Sequence, residues 1–174
     1  MISVCDRALR AKRRPLPVAG VLDEPAHAAT TVLLLSALGR PLGSPFARAA
    51  VIASVAIDVD HLPQYLGKRF LTRGTARPYP HSLVTLGGVG AVALMSRGRW
   101  RQLALGVELG LAGHLFRDMT SSRRRGGVPL FWPRSRANVR LPYSLYPVVM
   151  GATLAGALSR SLPSRDVAAQ EDHE

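Results

Sequence analysis

Residues 102–120, QLALGVELGLAGHLFRDMT, are the stretch from which both the fold and a candidate site can be predicted. The stretch is rich in Leu, Ala and Gly and lacks the strict apolar–polar alternation of a half-buried strand, so we predict a helix. His114 and Asp118 are four residues apart, and side chains at that spacing share one face of a helix. The pair is equally compatible with two ligands of one ion and with an ion pair or cap at a helix end.

Four further apolar segments have a similar composition, at 26–38, 45–66, 81–95 and 142–158. We therefore predict an all-α protein, a compact membrane-associated bundle of about five short helices. A long basic loop would follow the second helix, and an irregular Arg-rich segment would precede the last. The predicted organisation is a basic N-terminal segment (1–24), a helical metal-binding membrane-associated domain (25–159) and a disordered polar tail (160–174).

The basic residues are concentrated in connecting segments of a chain of 174 residues with a net charge of +12. That length suits one domain, and the single cysteine, Cys5, excludes a disulfide scaffold and a multi-cysteine metal site. Segments 67–80, 97–101 and 117–140 carry net charges of +4, +3 and +6. Such a balance indicates a phosphate-rich partner, either nucleic acid or an anionic membrane surface.

The acidic residues have the opposite distribution, because seven of the eleven lie near the two termini. Between residues 25 and 159 there are only Asp58, Asp60, Glu108 and Asp118, all inside or at the end of apolar stretches. Buried carboxylates need partners, and a metal ion would be one. Glu108 is off the His114 face by helical angle, so a packing role is preferred for it.

Four of the five histidines, His27, His61, His81 and His114, also lie in the apolar part, whereas His173 is in the tail and is expected to be inert. Asp58 and His61, three apart, can point the same way on a helix, while Asp60 points elsewhere and could bridge a second ion or act as a base. The alternative for this group is a polar helix terminus ahead of a proline.

Membrane association is expected, although most apolar segments are shorter than the roughly 20 residues of a span. Segment 142–158, which contains no charged residue, comes nearest to a span. The many glycines suit close helix packing in lipid, and Arg-rich loops suit anionic headgroups. Because every connecting loop is basic, the charge distribution gives no orientation.

The order of these motifs resembles the YdjM-like family of predicted inner-membrane, metal-dependent hydrolases. The resemblance rests on His27, Asp58-x-Asp60-His61, Arg77-x-x-x-His81-Ser82, His114-x-x-x-Asp118-x-Thr120 and the segment GVPLFWP at 127–133. The family is thought to be distantly related to the all-helical, zinc-dependent phospholipase C and P1 nuclease group. The resemblance implies an inner-membrane location and metal ligation by His27, Asp58, Asp60, His61, His81, His114 and Asp118, and it implies that Thr120 and Trp132 shape the site or the fold.

The chain departs from the family pattern in two places, the first of which bears on the number of ions bound. Family members usually read His-Arg-Gly-x-Thr-His-Ser before the third helix, whereas this chain has Ala76 and Pro80 in place of the first histidine and the threonine. Three arginines, Arg123 to Arg125, also lengthen the segment after Thr120.

The function predicted from these residues is a membrane-associated hydrolase that uses a metal-activated water on a phosphoester or related ester. Nitrogen and carboxylate oxygen ligands without sulfur suit zinc, manganese, iron or magnesium and do not select among them. The resemblance to the zinc-dependent group makes zinc the expected ion. Asp60 is the candidate general base, and Arg77 and Arg117 are candidate contacts for an anionic small-molecule or lipid substrate. Two alternatives are a basic nucleic-acid-binding or regulatory protein and a membrane protein with a purely structural metal site.

Overall fold

The apolar segments form six α-helices in the computed structural model, which describes residues 16–75, 77–120 and 127–161. The α-helices within those ranges are α1 (Leu16–Ala37), α2 (Pro45–Ala56), α3 (Leu62–Tyr65), α4 (Leu83–Met95), α5 (Gly98–Thr120) and α6 (Leu145–Ser161). A 3₁₀-helix, Ile57–His61, joins α2 to α3. The predicted all-α fold is confirmed.

Helices α2 and α5 pack with their backbones in close contact. A Cβ atom added at Gly106 would lie 2.2 Å from the Phe46 carbonyl oxygen, and one added at Gly110 would lie 2.2 Å from the Ala50 carbonyl oxygen. The helices can approach this closely because the facing residues on α5 are glycines. This contact brings the end of α2, which leads to Asp58, next to the histidine-bearing part of α5.

The predicted segment 45–66 is divided into three pieces. Ser44 caps α2 by accepting a hydrogen bond from the Ala47 backbone N–H at 3.2 Å. After Ala56 the backbone tightens into the 3₁₀-helix, in which residues three apart are eclipsed. Asp58 and His61 therefore point to the same side.

Two irregular segments, 66–82 and 127–144, cover the end of the bundle where α4 begins and α5 ends. Val128 and Val139 form an isolated antiparallel bridge, and the Leu83 backbone N–H donates to the Leu130 carbonyl oxygen at 2.9 Å. The rings of Tyr79 and Trp132 stack with centroids 5.1 Å apart. The basic loop and the Arg-rich segment are thus joined to each other at the start of α4.

At both ends of the predicted domain, the helices extend beyond the predicted limits. Helix α1 begins at Leu16, so part of the predicted N-terminal segment is helical, and α6 extends to Ser161. The domain limits of 25 and 159 stay a prediction. Residues 1–15, 121–126 and 162–174 lie outside the described residues, and with them Cys5, Arg123 to Arg125, His173 and most of the predicted tail.

The helices differ in length and in charge. Helix α4 has 13 residues and α6 has 17, whereas α1 with 22 and α5 with 23 both carry buried acids. None of the helices in the described ranges is both long enough and apolar enough to cross a membrane.

Candidate metal centre

Three imidazoles converge on one carboxylate oxygen. Asp58 Oδ1 lies 3.3 Å from His81 Nε2 and 3.4 Å from both His61 Nε2 and His114 Nε2. The side chains come from the 3₁₀-helix, the residue pair before α4 and the second half of α5. The structure therefore brings together, from three elements, four residues that the sequence analysis selected separately.

The other ring nitrogen of each of these histidines faces an oxygen acceptor. His114 Nδ1 makes a hydrogen bond with the Ser54 carbonyl oxygen at 2.7 Å, and His61 Nδ1 makes one with Gln64 Oε1 at 3.2 Å. His81 Nδ1 lies 3.2 Å from Asp60 Oδ2 without forming a hydrogen bond. An acceptor at Nδ1 favours the tautomer that carries its proton there, which leaves the Nε2 lone pair available. Histidines that bind metals commonly have such a partner on the second nitrogen.

The spacing of the converging atoms fits a small divalent cation. Ligand atoms about 2.0–2.1 Å from a tetrahedral zinc ion are about 3.3–3.4 Å from one another. His81 Nε2 and His114 Nε2 are 3.2 Å apart, and both lie within 3.4 Å of Asp58 Oδ1. The donor set of Asp58, His81 and His114 thus fits the ion that the family resemblance implies.

Asp118 lies against the same two histidines. Its Oδ2 atom is 3.5 Å from His114 Nε2 and 3.7 Å from His81 Nε2, and its side chain is only 1% exposed. Its Oδ1 atom accepts a hydrogen bond from Arg77 Nη2. The His114/Asp118 pair is therefore fully buried, which argues against the alternative of an ion pair on the helix surface.

His27 extends the cluster from α1. Its ring stacks on that of His114 with centroids 3.8 Å apart, and its Nε2 lies 3.7 Å from Asp23 Oδ2 and 3.8 Å from Asp118 Oδ1. Neither of its ring nitrogens has a hydrogen-bond partner among the described residues, although the side chain is fully buried. An imidazole without partners in an acidic, buried setting is suited to metal ligation.

Two acidic residues of the site, Asp23 and Glu24, were missed by the sequence analysis, which grouped them with the terminal acids. Asp23 is 5% exposed, and Glu24 is half-buried with its Oε2 atom unpartnered among the described residues. They precede His27 by four and three residues, which is the spacing that identified His114 and Asp118. The helical spacing that would have identified these two acids was therefore present in the sequence.

The two candidate substrate-binding arginines are placed differently. Arg77 Nη1 lies 3.4 Å from His61 Nε2, so its guanidinium borders the converging ligands. Arg117 Nη2 donates to Asp23 Oδ1 at 3.2 Å, and its guanidinium carbon lies 5.2 Å above the Tyr146 ring. Arg117 is enclosed between α1 and α6 at 4% exposure, so its geometry favours a structural role.

The charges of the cluster do not cancel. Four carboxylates face two guanidinium groups (Asp23, Asp58, Asp60 and Asp118 against Arg77 and Arg117), which leaves two negative charges when the carboxylates are ionised and the histidines are neutral. Uncompensated charge in a buried site is unfavourable. One divalent cation would balance it, and so would protonation of two of the histidines.

The same charges shift the pKa values of the histidines and carboxylates in the cluster. Burial lowers the pKa of His114, but the carboxylates of Asp118 and Asp58 outweigh it and raise that pKa to about 10. Burial and the neighbouring His114 lower the pKa of His27 to about 4. Burial alone would raise the pKa of Asp118, yet Arg77 and His114 hold it well below its usual range. Burial and a hydrogen bond with Asp58 raise the pKa of Glu24 to about 8.

Three other residues singled out in the sequence have supporting positions. Thr120 donates to the Phe116 carbonyl oxygen at 2.9 Å, and Trp132 stacks on Tyr79. Ser82 is the N-cap residue of α4, although its hydroxyl makes no capping hydrogen bond. Ala76 lies outside the described residues, and Pro80 belongs to the turn before α4.

Comparison with protein families matches residues 22–171 to the family described as YdjM inner membrane protein. The chain belongs to this family. Membership in the YdjM family confirms the resemblance and the expected inner-membrane location, and it makes the chain a membrane-associated protein. Neither curated proteins nor solved structures give a match.

Proposed function

We propose that this YdjM family member is a metal-dependent hydrolase that acts at the membrane on a phosphoester or related ester. The observation that supports the proposal is the convergence of three imidazole Nε2 atoms on Asp58 Oδ1, with hydrogen-bond acceptors at the Nδ1 atoms of His61 and His114. The proposed ligand set remains His27, Asp58, Asp60, His61, His81, His114 and Asp118, and Asp23 lies beside it.

Zinc is the proposed ion because the resemblance to the zinc-dependent group implies it. The cluster offers only nitrogen and carboxylate oxygen, so manganese, iron and magnesium are alternatives. A divalent ion bound there would supply Lewis acidity and would lower the pKa of a water molecule to near neutrality. The chain's own residues hold this site rigidly. Asp58 and His61 come from one 3₁₀ turn, and His114 is anchored to the backbone of α2 through the Ser54 carbonyl oxygen at 2.7 Å.

Substrate would approach from the least buried side of the cluster. Asp60, Arg77 and Asp58 have side-chain exposures of 14%, 11% and 10%, whereas His27, His81 and His114 are at 0%. Arg77 combines this position with a permanent positive charge, so it is the residue placed to bind an anionic group of the substrate. Asp60 is the proposed general base. Its side chain is 14% exposed, but both carboxylate oxygens are buried, and Oδ2 lies 3.2 Å from His81 Nδ1.

Metal analysis tests the ligand assignment. Purified protein is expected to contain a divalent ion by inductively coupled plasma mass spectrometry, and Asp58→Ala combined with His114→Ala is expected to abolish its retention. Glu108→Gln is a suitable control because Glu108 is a half-buried carboxylate of α5 outside the cluster. An unchanged metal content in the double variant would show that the ion is bound elsewhere or not at all.

Hydrolysis requires a separate assay. The metal-loaded protein is expected to cleave a generic phosphodiester such as bis(p-nitrophenyl) phosphate or a generic carboxylic ester. Loss of turnover in Arg77→Gln with metal content retained would support the proposed substrate contact. A metal-loaded, folded protein that is inactive on both substrate classes would contradict the enzymatic proposal.

A purely structural metal site is the second candidate, and the deep burial of the histidines favours it. A structural site stabilises the fold directly, so removal of the ion unfolds the protein. Chelation that abolishes helical structure in a protein without turnover would support this alternative. Chelation that abolishes turnover but leaves the helices intact would support the hydrolase.

A further inference from the structure

An open groove of about 430 Å³ lies between α4 and α5, apart from the metal cluster. Its volume falls in the range of small-molecule sites. The lining is mostly apolar and includes Gly87, Gly90, Ala91 and Leu94 of α4, and Arg101 and Leu105 of α5. On each helix these residues recur at intervals of three or four, so each set forms one continuous face.

The glycines of α4 are not explained by packing within the described residues. A Cβ atom added at Gly87 or Gly88 would have no atom within 4 Å, and one added at Gly90 would meet only Glu108 Oε1, at 3.9 Å. Gly106 and Gly110 differ, because the backbone of α2 lies against them. Since glycine lowers helix stability relative to alanine, its use on α4 indicates that something other than the described residues approaches the bare backbone.

The charges along the groove define the polarity of that occupant. Arg101 lies at the end nearest the α4–α5 turn, and residues 83–107 contain no acidic side chain. Glu108 lies beside Gly90, further along the groove, and its Oε2 atom is buried. An anionic group is therefore attracted to the Arg101 end and repelled from the Gly90 end, which leaves an apolar body to lie over the glycines. A molecule with one anionic end and a long apolar body is an anionic amphiphile.

We infer that the groove binds an anionic phospholipid, with an acyl chain along Gly87, Gly90 and Leu105 and the headgroup phosphate at Arg101. The bilayer in which a YdjM family member resides supplies such lipids. Leu94, which lines the groove, is 84% exposed, and the neighbouring Met95 is 87% exposed, so the apolar surface of α4 extends past the groove at Met95. This inference does not depend on the hydrolase proposal, because none of these residues belongs to the metal cluster.

Native mass spectrometry of the detergent-purified full chain tests the inference, with dioleoyl phosphatidylglycerol as the anionic probe and dioleoyl phosphatidylcholine as the neutral one. The unsubstituted protein is expected to retain phosphatidylglycerol at least fivefold more than phosphatidylcholine. Gly90→Leu fills the groove and is expected to lower retention of both lipids at least fivefold. Arg101→Gln is expected to abolish the preference for the anionic lipid while leaving retention of the neutral lipid unchanged.

Two substitutions elsewhere in the same protein serve as matched controls. Gly151→Leu places the same side chain at an exposed helical glycine of α6 with no atom within 4 Å, and Arg99→Gln removes an exposed arginine that does not line the groove. Both controls are expected to bind lipid as the unsubstituted protein does. Gly87→Leu, with helix content checked by circular dichroism, is a second groove-filling variant in case Gly90→Leu does not fold.

Three results would overturn the inference. The first is equal retention of the two lipids by the unsubstituted protein. The second is a loss of retention in the controls that matches the loss in the groove variants. The third is that filling the groove changes the oligomeric mass of the protein and leaves lipid retention unchanged. That result would identify the occupant as a second copy of the chain.

Discussion

The Nε2 atoms of His81 and His114 lie 3.2 Å apart, and both side chains are fully buried. Two neutral imidazoles whose lone pairs face each other repel, so this geometry requires either a proton or a cation between the two nitrogens. Asp58 and Asp118 both lie within 3.7 Å of these nitrogens and favour a positive charge there. A cation between the two nitrogens removes this repulsion, and in its absence one shared proton does so.

Metal affinity is therefore expected to rise with pH. Despite the opposing effect of burial, nearby carboxylates raise the pKa of His81 and raise that of His114 to about 10, so both must lose a proton before they bind metal. Each displaced proton makes the apparent affinity about tenfold stronger per pH unit below that pKa. Competition with a chelator at pH 6, 7 and 8 measures the slope, and calorimetry in buffers of different ionisation enthalpy counts the protons. A pH-independent affinity over this range would contradict the expectation.

Asp60→Asn is expected to weaken metal binding without abolishing it. Asp60 belongs to the proposed ligand set, and its Oδ2 atom also lies 3.2 Å from His81 Nδ1, so asparagine is expected to act mainly by removing a charged partner of the ligand His81. Partners of this kind change metal affinity by roughly 10–100-fold. Titration with zinc gives the dissociation constant, and His61→Ala provides a comparison in which a ligand is lost.

The same variant tests the role of Asp60 as general base. If it acts as the base, kcat falls even at saturating zinc. Full recovery of kcat at high zinc would assign Asp60 to orientation of His81 alone.

The sequence analysis predicted most of the cluster because helical spacing is a local property. Asp58 with His61, and His114 with Asp118, are three and four residues apart, so each pair was recognisable before any tertiary information. Asp23 was missed because the predicted first helix begins at residue 26, whereas α1 begins at Leu16. The same spacing rule applied to His27 would have included it.

The pairing of residues distant in the chain was beyond prediction. Arg77 and Asp118 are separated by 41 positions, and Arg117 and Asp23 by 94, so only the packing of the helices brings them together. The glycines were read as features of packing in lipid, but the structure separates them into two groups. Gly106 and Gly110 contact α2, whereas Gly87 and Gly90 line the groove.

Arg117→Met is expected to lower the free energy of unfolding by about 3–5 kcal/mol, because it removes the closest charge partner of buried Asp23. For a chain of this size the corresponding fall in Tm is roughly 10 °C. Adding Asp23→Asn removes the uncompensated carboxylate, so the double variant is expected to lose less than the sum of the single losses. Thermal unfolding followed by circular dichroism measures the stability of the two single variants and of the double variant. Additive losses, or a change in KM with unchanged Tm, would favour the predicted substrate contact of Arg117.

Gly110→Ala and Gly151→Ala are expected to shift stability in opposite directions. A Cβ atom at position 110 would lie 2.2 Å from the Ala50 carbonyl oxygen, so α2 and α5 must separate, at a cost of about 3 kcal/mol or more. At position 151 the added methyl group meets no described atom within 4 Å, so alanine is expected to stabilise α6 by about 0.5–1 kcal/mol. Because α2 leads to Asp58 and α5 carries His114, Gly110→Ala is also expected to reduce zinc retention, whereas Gly151→Ala leaves it unchanged. Denaturant unfolding and metal analysis of both variants test this, and equal stability of the two would mean that α2 and α5 do not pack as closely as described.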